Sequence, residues 1–347
     1  MIDFEKLFNP RSIGIIGASD KRAGRYFINC LKHIGFEKPI YLFNPRLKGK
    51  TIEDLPVYGS ILEVSDDKPI DYVILSVPAR FCPSVLEECG KKGVPFATIF
   101  SSGFSEVGNR HLEVEVLEIV KKYNIRVIGP NCLGLFVPKN RISFSGPLLN
   151  EKSGNFGGIF QSGGLAVYIS AKGQSIYGTY PSKVLSIGNQ IDLNFVDFLE
   201  YFLEDDETKI IGLYVENIKN PTIGKLFMEV VRKLTLMGKP VILWKVGSGE
   251  ATRETIMSHT GGLAGSLKIW DAVAKQTGAL MVKDSNELIN LAMTFQYISS
   301  MPMNRNMGIT TGGGGASIET ADTFERHNLR VPKLSAETIV KFQEFVP

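Results

Sequence analysis

Three times along this chain a short apolar run ends in a glycine-bearing turn and gives way to a helical pattern. The junctions are Ile16-Gly17-Ala18-Ser19, Gln161-Ser162-Gly163-Gly164-Leu165 and Thr311-Gly312-Gly313-Gly314-Gly315-Ala316. A strand that feeds a helix through a tight turn, and is followed by another strand, makes a right-handed crossover and hence a parallel sheet covered on both faces. The chain is therefore expected to be α/β, with ligands gathering at the carboxyl ends of its strands.

The runs between the junctions fit that expectation. Ser12–Ile16, Pro39–Phe43, Tyr72–Val77, Phe96–Phe100 and Arg126–Gly129 read as buried strands. Arg25–Ile34, Ser84–Lys92 and Leu112–Lys122 carry helical spacing between them. Gly129-Pro130-Asn131-Cys132-Leu133-Gly134 closes this unit, and residues 137–154 read as a connector. The pattern restarts at Gly157–Gln161 and continues through strands at Lys183–Ile187, Lys209–Val215 and Pro240–Lys245, closing on a helix over Glu287–Ser300. A third strand–glycine–helix sequence opens at Asn306–Thr311, with a helix over Ala316–Arg326. Too few residues follow for a complete domain. The reading expects either a truncated product or a last unit that borrows structure from a neighbour. Domains are expected at 1–136, 150–302 and 303–347.

Charge and composition exclude several classes. Lys+Arg 39 against Asp+Glu 36 gives +3 with the signs interspersed, so no basic stripe for nucleic acid is present. No apolar run approaches the ~20 residues that span a bilayer. The start, Met1-Ile2-Asp3-Phe4-Glu5-Lys6, has no signal-peptide pattern, and the expected location is the cytoplasm. Cys30, Cys82, Cys89 and Cys132 form no C-x-x-C, and the four histidines form no H-E-x-x-H, so no metal site is expected and the thiols read as reduced core residues.

The glycine turns suit anions. A helix N-terminus presents unpaired N–H groups and partial positive charge, and glycine lets an anion approach the backbone. Three such turns favour phosphate-bearing ligands, although each alone is also what a tight βα turn requires. The first is not the dinucleotide fingerprint: Gly14, Gly17 and Gly24 have the wrong spacing for G-x-G-x-x-G. The second strand ends in Asn44-Pro45-Arg46, where NAD binding wants an acidic residue. Arg46 could instead hold a ribose phosphate, which NADP and coenzyme A both carry.

Beyond the strand Pro240–Lys245 lies Ser258-His259-Thr260-Gly261-Gly262-Leu263-Ala264-Gly265. A neutral imidazole among small residues can attack phosphorus if its other nitrogen is held by an acceptor that fixes the tautomer. Glu216, just past Gly212–Val215, is the candidate acceptor. A loop histidine without a role is the competing reading.

These residues resemble the phosphohistidine loop of ADP-forming acyl-CoA (acetyl-CoA) synthetase α subunits, in the succinyl-CoA synthetase superfamily. Ile16-Gly17-Ala18-Ser19, Phe43-Asn44-Pro45, Ser76-Val77-Pro78-Ala79, Ser102-Gly103-Phe104, Gly129–Gly134 and Gln161–Gly164 follow in the family's order over nearly the whole chain. The resemblance implies a Rossmann-like coenzyme A-binding domain, a flavodoxin-like domain and the start of a second such domain. It implies coenzyme A contacts from Gly17, Ala18, Ser19 and Gly24 near the nucleotide end. Asn44, Pro45 and Arg46 would lie by the adenosine phosphate, with Val77, Pro78, Ser102, Gly103 and Asn131 along the cofactor.

The same resemblance implies that His259 is phosphorylated through an acyl phosphate and hydrogen-bonded by Glu216. Phosphate would be held by Ser162, Gly163 and Gly164 and faced by a second glycine turn that includes Gly313 and Gly314. ADP/ATP and Mg²⁺ would reside on an ATP-grasp β-type subunit or domain, so a partner and an oligomeric assembly are expected. The reaction implied is acyl-CoA + ADP + phosphate ⇌ carboxylic acid + CoA + ATP, with acyl-CoA and phosphate bound here and neither nucleic acid nor membrane as partner. Two alternatives stay open: a non-catalytic module that senses coenzyme A or acyl-CoA for an acyltransferase or related assembly, and an NADP-dependent oxidoreductase.

Overall fold

The computed structural model describes residues 2–247, 267–298, 300 and 303–344. The chain divides into two compact units, Met1–Tyr297 and Ile298–Pro347.

The first unit contains two sheets. Strands β1 (Ile13–Ile16), β2 (Ile40–Phe43), β3 (Thr51–Ile52), β4 (Leu55–Tyr58), β5 (Tyr72–Leu75), β6 (Phe96–Ile99) and β7 (Arg126–Ile128) form one, in the order β3-β4-β2-β1-β5-β6-β7. All its pairings are parallel except the β3–β4 hairpin. Helices α1 (Glu5–Phe8), α2 (Arg22–Ile34), α3 (Cys82–Lys91) and α4 (Arg110–Tyr123) accompany it. Every residue of β1, β5 and β6 is buried, as expected of strands covered on both faces. Helix α2 ends where Gly35 takes the left-handed conformation and its N–H returns to the last carbonyls.

The second sheet comprises β8 (Gly134–Phe136), β9 (Phe156–Phe160), β10 (Pro181–Ser186), β11 (Ile210–Val215), β12 (Val241–Lys245) and β13 (Leu280–Val282). Its order is β13-β12-β11-β9-β10-β8, parallel apart from the antiparallel β8–β10 pair. Helices α5 (Gly163–Lys172), α6 (Phe195–Glu204), α7 (Pro221–Leu236), α8 (Leu267–Thr277) and α9 (Ser285–Tyr297) pack with it. Polar caps set their starts: Asn194 and Asp197 form a reciprocal capping box on α6, and Asn220 precedes Pro221 at the first turn of α7.

Three details depart from the sequence pattern. Strand β8 follows the first series of strands directly, yet it pairs with β10 and so belongs to the second sheet. The β3–β4 hairpin and β13 are short strands that the apolar pattern does not mark. In the second unit, helices α10 (Gly314–Arg326) and α11 (Ala336–Gln343) form, but the expected strand over Asn306–Thr311 is reduced to a single bridge between Asn306 and Arg330. A strand is stabilised by its ladder, and here one partner residue gives almost none.

The two sheets are joined by main-chain bonds. The N–H groups of Asn189, Ile191 and Leu193 donate to the carbonyls of Pro130 (2.9 Å), Gly129 (2.9 Å) and Val127 (3.1 Å). Asp192 accepts from both Nε and Nη2 of Arg126 at 2.9 Å and from the Val127 N–H at 2.8 Å. Thus the carboxyl ends of β7 and β10 meet.

Candidate functional site

At the end of β1 the chain turns through Gly17, whose φ of +91° favours glycine and whose position leaves no room for a Cβ against the Ser76 carbonyl. Gly24 packs onto the same turn, where a side chain would overlap Ser19. Asn44 ties this turn to the end of β2: its Nδ2 donates to the Ala18 carbonyl (2.8 Å), and its Oδ1 accepts the Arg46 N–H (3.0 Å). Gly17, Ala18, Ser19, Gly24, Asn44, Pro45 and Arg46 are therefore brought to one edge, with Ala18 buried and the Arg46 side chain exposed.

Val77 and Pro78 follow β5, and Ser102 and Gly103 follow β6. The Ser101 hydroxyl donates to the Val77 carbonyl, linking the two loops. The Gly103 backbone is satisfied internally. Its N–H donates to Glu106 Oε1 (2.6 Å) and its carbonyl accepts Asn109 Nδ2 (2.9 Å), which leaves the exposed Ser102 as the outward member. The other Glu106 oxygen accepts Asn189 Nδ2 at 2.7 Å, so the loop after β6 is fastened to the end of β10. Glu106 and Asn189 have no signal in the sequence beyond their polarity in glycine-containing loops.

A cavity of about 300 Å³ lies where the ends of the two sheets meet. Phe100 and Asn131 line it from one side, and Ser162, Gly163, Gly164 and Asn189 from the other. Ser162 caps α5, its Oγ accepting the Leu165 N–H at 3.3 Å. The N–H groups of Gly163 and Gly164 stand in the first helical turn, where no intrahelical acceptor exists, and nothing lies within 4 Å of the Cβ position of Gly164. This turn can receive an anion.

Glu216 stands one residue past β11 and is buried. Its N–H donates to Gln161 Oε1 (2.5 Å), so it neighbours the residue that precedes the Ser162 turn. Its carbonyl accepts Lys245 Nζ at 2.9 Å from the end of β12. Burial lowers the Lys245 pKa to about 8, against an opposing pull from Glu216. Burial, with Glu216 close by, raises that of Tyr214. The sequence signal for Lys245 is slight: a single cation ending the apolar run Val241–Trp244.

His259, with Ser258–Gly265, lies outside the described residues. Gly313 precedes α10 and Gly314 opens it in the second unit, both exposed. Among the described residues no three His, Cys, Asp or Glu side chains are placed to hold a metal ion, and no helix is long and apolar enough to cross a membrane. All four cysteines are buried free thiols.

Comparison with known proteins gives the geometry a context. Residues 11–138 match the family described as CoA binding domain, and residues 153–295 match the succinyl-CoA ligase like flavodoxin domain. The acetate–CoA ligase (ADP-forming) of Methanocaldococcus jannaschii is 38% identical over 97% of this chain and 46% of its own length. The α subunit of acetate–CoA ligase (ADP-forming) II of Pyrococcus furiosus is 36% identical over 100% of this chain and 74% of its own. A solved structure of acetyl-coenzyme A synthetase 1 from Candidatus Korarchaeum cryptofilum, in complex with phosphate and ADP, superposes with a TM-score of 0.85 at 33% identity. It covers 100% of this chain and 74% of that one. The chain thus spans less than half of the Methanocaldococcus relative and about three quarters of the other two.

Proposed function

This chain belongs to the family of ADP-forming acetate–CoA ligase α subunits, and from that membership we propose that it carries the coenzyme A and phosphohistidine half of the reaction acyl-CoA + ADP + phosphate ⇌ carboxylic acid + CoA + ATP. The observation that carries this reading is the cavity shared by Asn131 and the Ser162–Gly164 turn, with Glu216 attached to that turn through Gln161. A ligand lying along the first sheet's carboxyl ends reaches, at that cavity, an anion-binding helix start on the second.

Residues 1–136 bind coenzyme A. Its nucleotide end lies against Gly17, Ala18, Ser19 and Gly24, and its adenosine phosphate by Asn44, Pro45 and Arg46. Its arm passes Val77, Pro78, Ser102, Gly103 and Asn131. Residues 150–302 carry the phosphoryl chemistry, and residues 303–347 form a separate α/β segment whose glycine turn, Gly313 and Gly314, suits a phosphate.

Phosphate held by the Ser162, Gly163 and Gly164 turn attacks the thioester carbonyl. The C–S bond breaks, and coenzyme A leaves as thiolate from an acyl phosphate. An imidazole nitrogen of His259 then attacks phosphorus, the P–O bond to the acyl group breaks, and the carboxylate departs. The second ring nitrogen donates its N–H to the Glu216 carboxylate, which fixes the tautomer and stabilises the charge that develops on the ring. Helix N-termini around the phosphohistidine dianion each contribute about 1 kcal/mol, more where partly buried. The phosphoryl group passes to ADP, with Mg²⁺, on an ATP-grasp β-type subunit or domain. We assign the reaction to the cytoplasm, where four free thiols persist.

The test is incubation of the full chain with acetyl-CoA and radiolabelled phosphate. An acid-labile, alkali-stable label is expected on the wild type and none on His259→Ala, with coenzyme A affinity equal in both. Coenzyme A binding without label, even beside an active ATP-grasp partner, would leave only a sensing module.

A further inference from the structure

Strand β11 lies between β9 and β12, but its ladder ends at Tyr214 opposite Phe160 and Val215 opposite Lys245. The Val215 carbonyl still accepts the Val246 N–H (3.2 Å) from the β12 side, and beyond it side chains bond the main chain of Glu216. Two buried side chains take the place of the ladder. On one side Gln161 Oε1 accepts the Glu216 N–H (2.5 Å) and the Asn217 N–H (3.0 Å). On the other, Lys245 Nζ donates to the Glu216 carbonyl (2.9 Å) and also to the carbonyl of Val246. Gln161, Glu216 and Lys245 are 5%, 6% and 5% exposed.

We infer that Gln161 and Lys245 are positioning residues that clamp the main chain of Glu216 at both ends and thereby aim its carboxylate. The inference rests on the role proposed for Glu216 above.

A buried ammonium is a costly way to cap two carbonyls, since its hydration is lost. Among the described residues little repays that loss. Across from it α8 offers the Trp270 ring, 5.7 Å from Nζ, and the charged group acting on it among the described residues is Glu216 itself. An apolar residue would end the strand at lower cost. What the lysine adds is a tie between the Glu216 carbonyl and the Val246 carbonyl just past β12. A carboxylate that must meet an imidazole within hydrogen-bond reach tolerates little displacement, and a shift of about 1 Å can cost on the order of a hundredfold in rate. Pinning the N–H before its Cα and the carbonyl after it removes that freedom.

The experiment measures single-turnover labelling of the full chain by acetyl-CoA and radiolabelled phosphate, together with the dissociation constant for coenzyme A. Lys245→Met keeps the apolar stem and loses the donors, Gln161→Met loses the acceptor, and Lys245→Arg keeps charge and donors. Both Met variants are expected to label roughly tenfold to a hundredfold more slowly. Their half-saturating acetyl-CoA and coenzyme A affinity should stay within about twofold of wild type, and Lys245→Arg should recover most of the rate. If one Met variant fails to melt cooperatively, the other carries the same comparison. Wild-type rates in the Met variants, or a loss expressed in half-saturation rather than rate, would overturn the clamp while the proposed function stands. Absence of label on the wild type would overturn the proposed function, and the clamp with it.

Discussion

Asp192→Ala tests how the ends of the two sheets are held together. The carboxylate accepts from Arg126 Nε and Nη2, both at 2.9 Å, and from the Val127 N–H at 2.8 Å. The side chains of Arg126 and Asp192 are only 22% and 12% exposed. Removing the carboxylate leaves a fully buried residue, Val127, with its N–H unpaired, at about 1–3 kcal/mol. It also strips a mostly buried guanidinium of its bidentate partner, leaving Asp197 at 3.7 Å as the remaining acid. Asp197 offsets part of that second loss, so the total comes to about 3 kcal/mol. In a unit of this size that lowers Tm by roughly 5–10 °C. Asp192→Asn keeps an oxygen for the Val127 N–H and should lose about half as much. Thermal unfolding followed by near-ultraviolet circular dichroism at fixed concentration reads both. A Tm for Asp192→Ala within about 1 °C of wild type, or an Asn variant less stable than the Ala variant, would refute the reasoning.

Arg46→Ala should weaken coenzyme A roughly fivefold to tenfold and dephospho-coenzyme A by less than about twofold, read by calorimetry; equal weakening would remove Arg46 from the phosphate site. Lys245 gives a stability signature with a definite sign. Burial lowers its pKa from 10.5 to about 8, so in that interval the unfolded chain binds more protons than the folded one. The stability of wild type relative to Lys245→Met should therefore rise with pH between about 8 and 10.5, by at most about 1.4 kcal/mol per pH unit, and stay flat below. Denaturant titrations at a series of pH values measure this, and a difference that falls with pH would contradict the burial argument.

The buried strands were legible because parallel strands covered on both faces read as unbroken hydrophobic runs, as Ile13–Ile16 and Tyr72–Leu75 do. The β3–β4 hairpin breaks its apolar run with Pro56 and exposed positions, and β13 is partly exposed along its three residues, so neither reads as a buried strand. For β8 the difficulty is topological: Gly134–Phe136 follows the first sheet in sequence but finds its partner in β10. The nearness of Glu216 to the Ser162 turn has the same origin. It depends on β11 lying beside β9 although a strand and two crossovers separate them along the chain. That Glu216 lies at a strand end was readable from the apolar run before it. That Gln161 and Lys245 grip its peptide was not, because burial of a polar side chain at a strand terminus leaves no periodic trace. Asn306–Thr311 shows the reverse case, a strand-like pattern that forms only a bridge where a ladder has no further members.

The central claim is that a thioester carried on the first sheet and a phosphate carried on the second meet in the cavity between Asn131 and Ser162. A crystal structure of the full chain with coenzyme A and phosphate both bound tests it most directly. The account predicts phosphate on the N–H groups of Gly163 and Gly164, and the coenzyme A sulfur entering the same cavity within about 4 Å of a phosphate oxygen, near-attack range once acylated. A sulfur directed away from that cavity, with phosphate bound elsewhere, would contradict it.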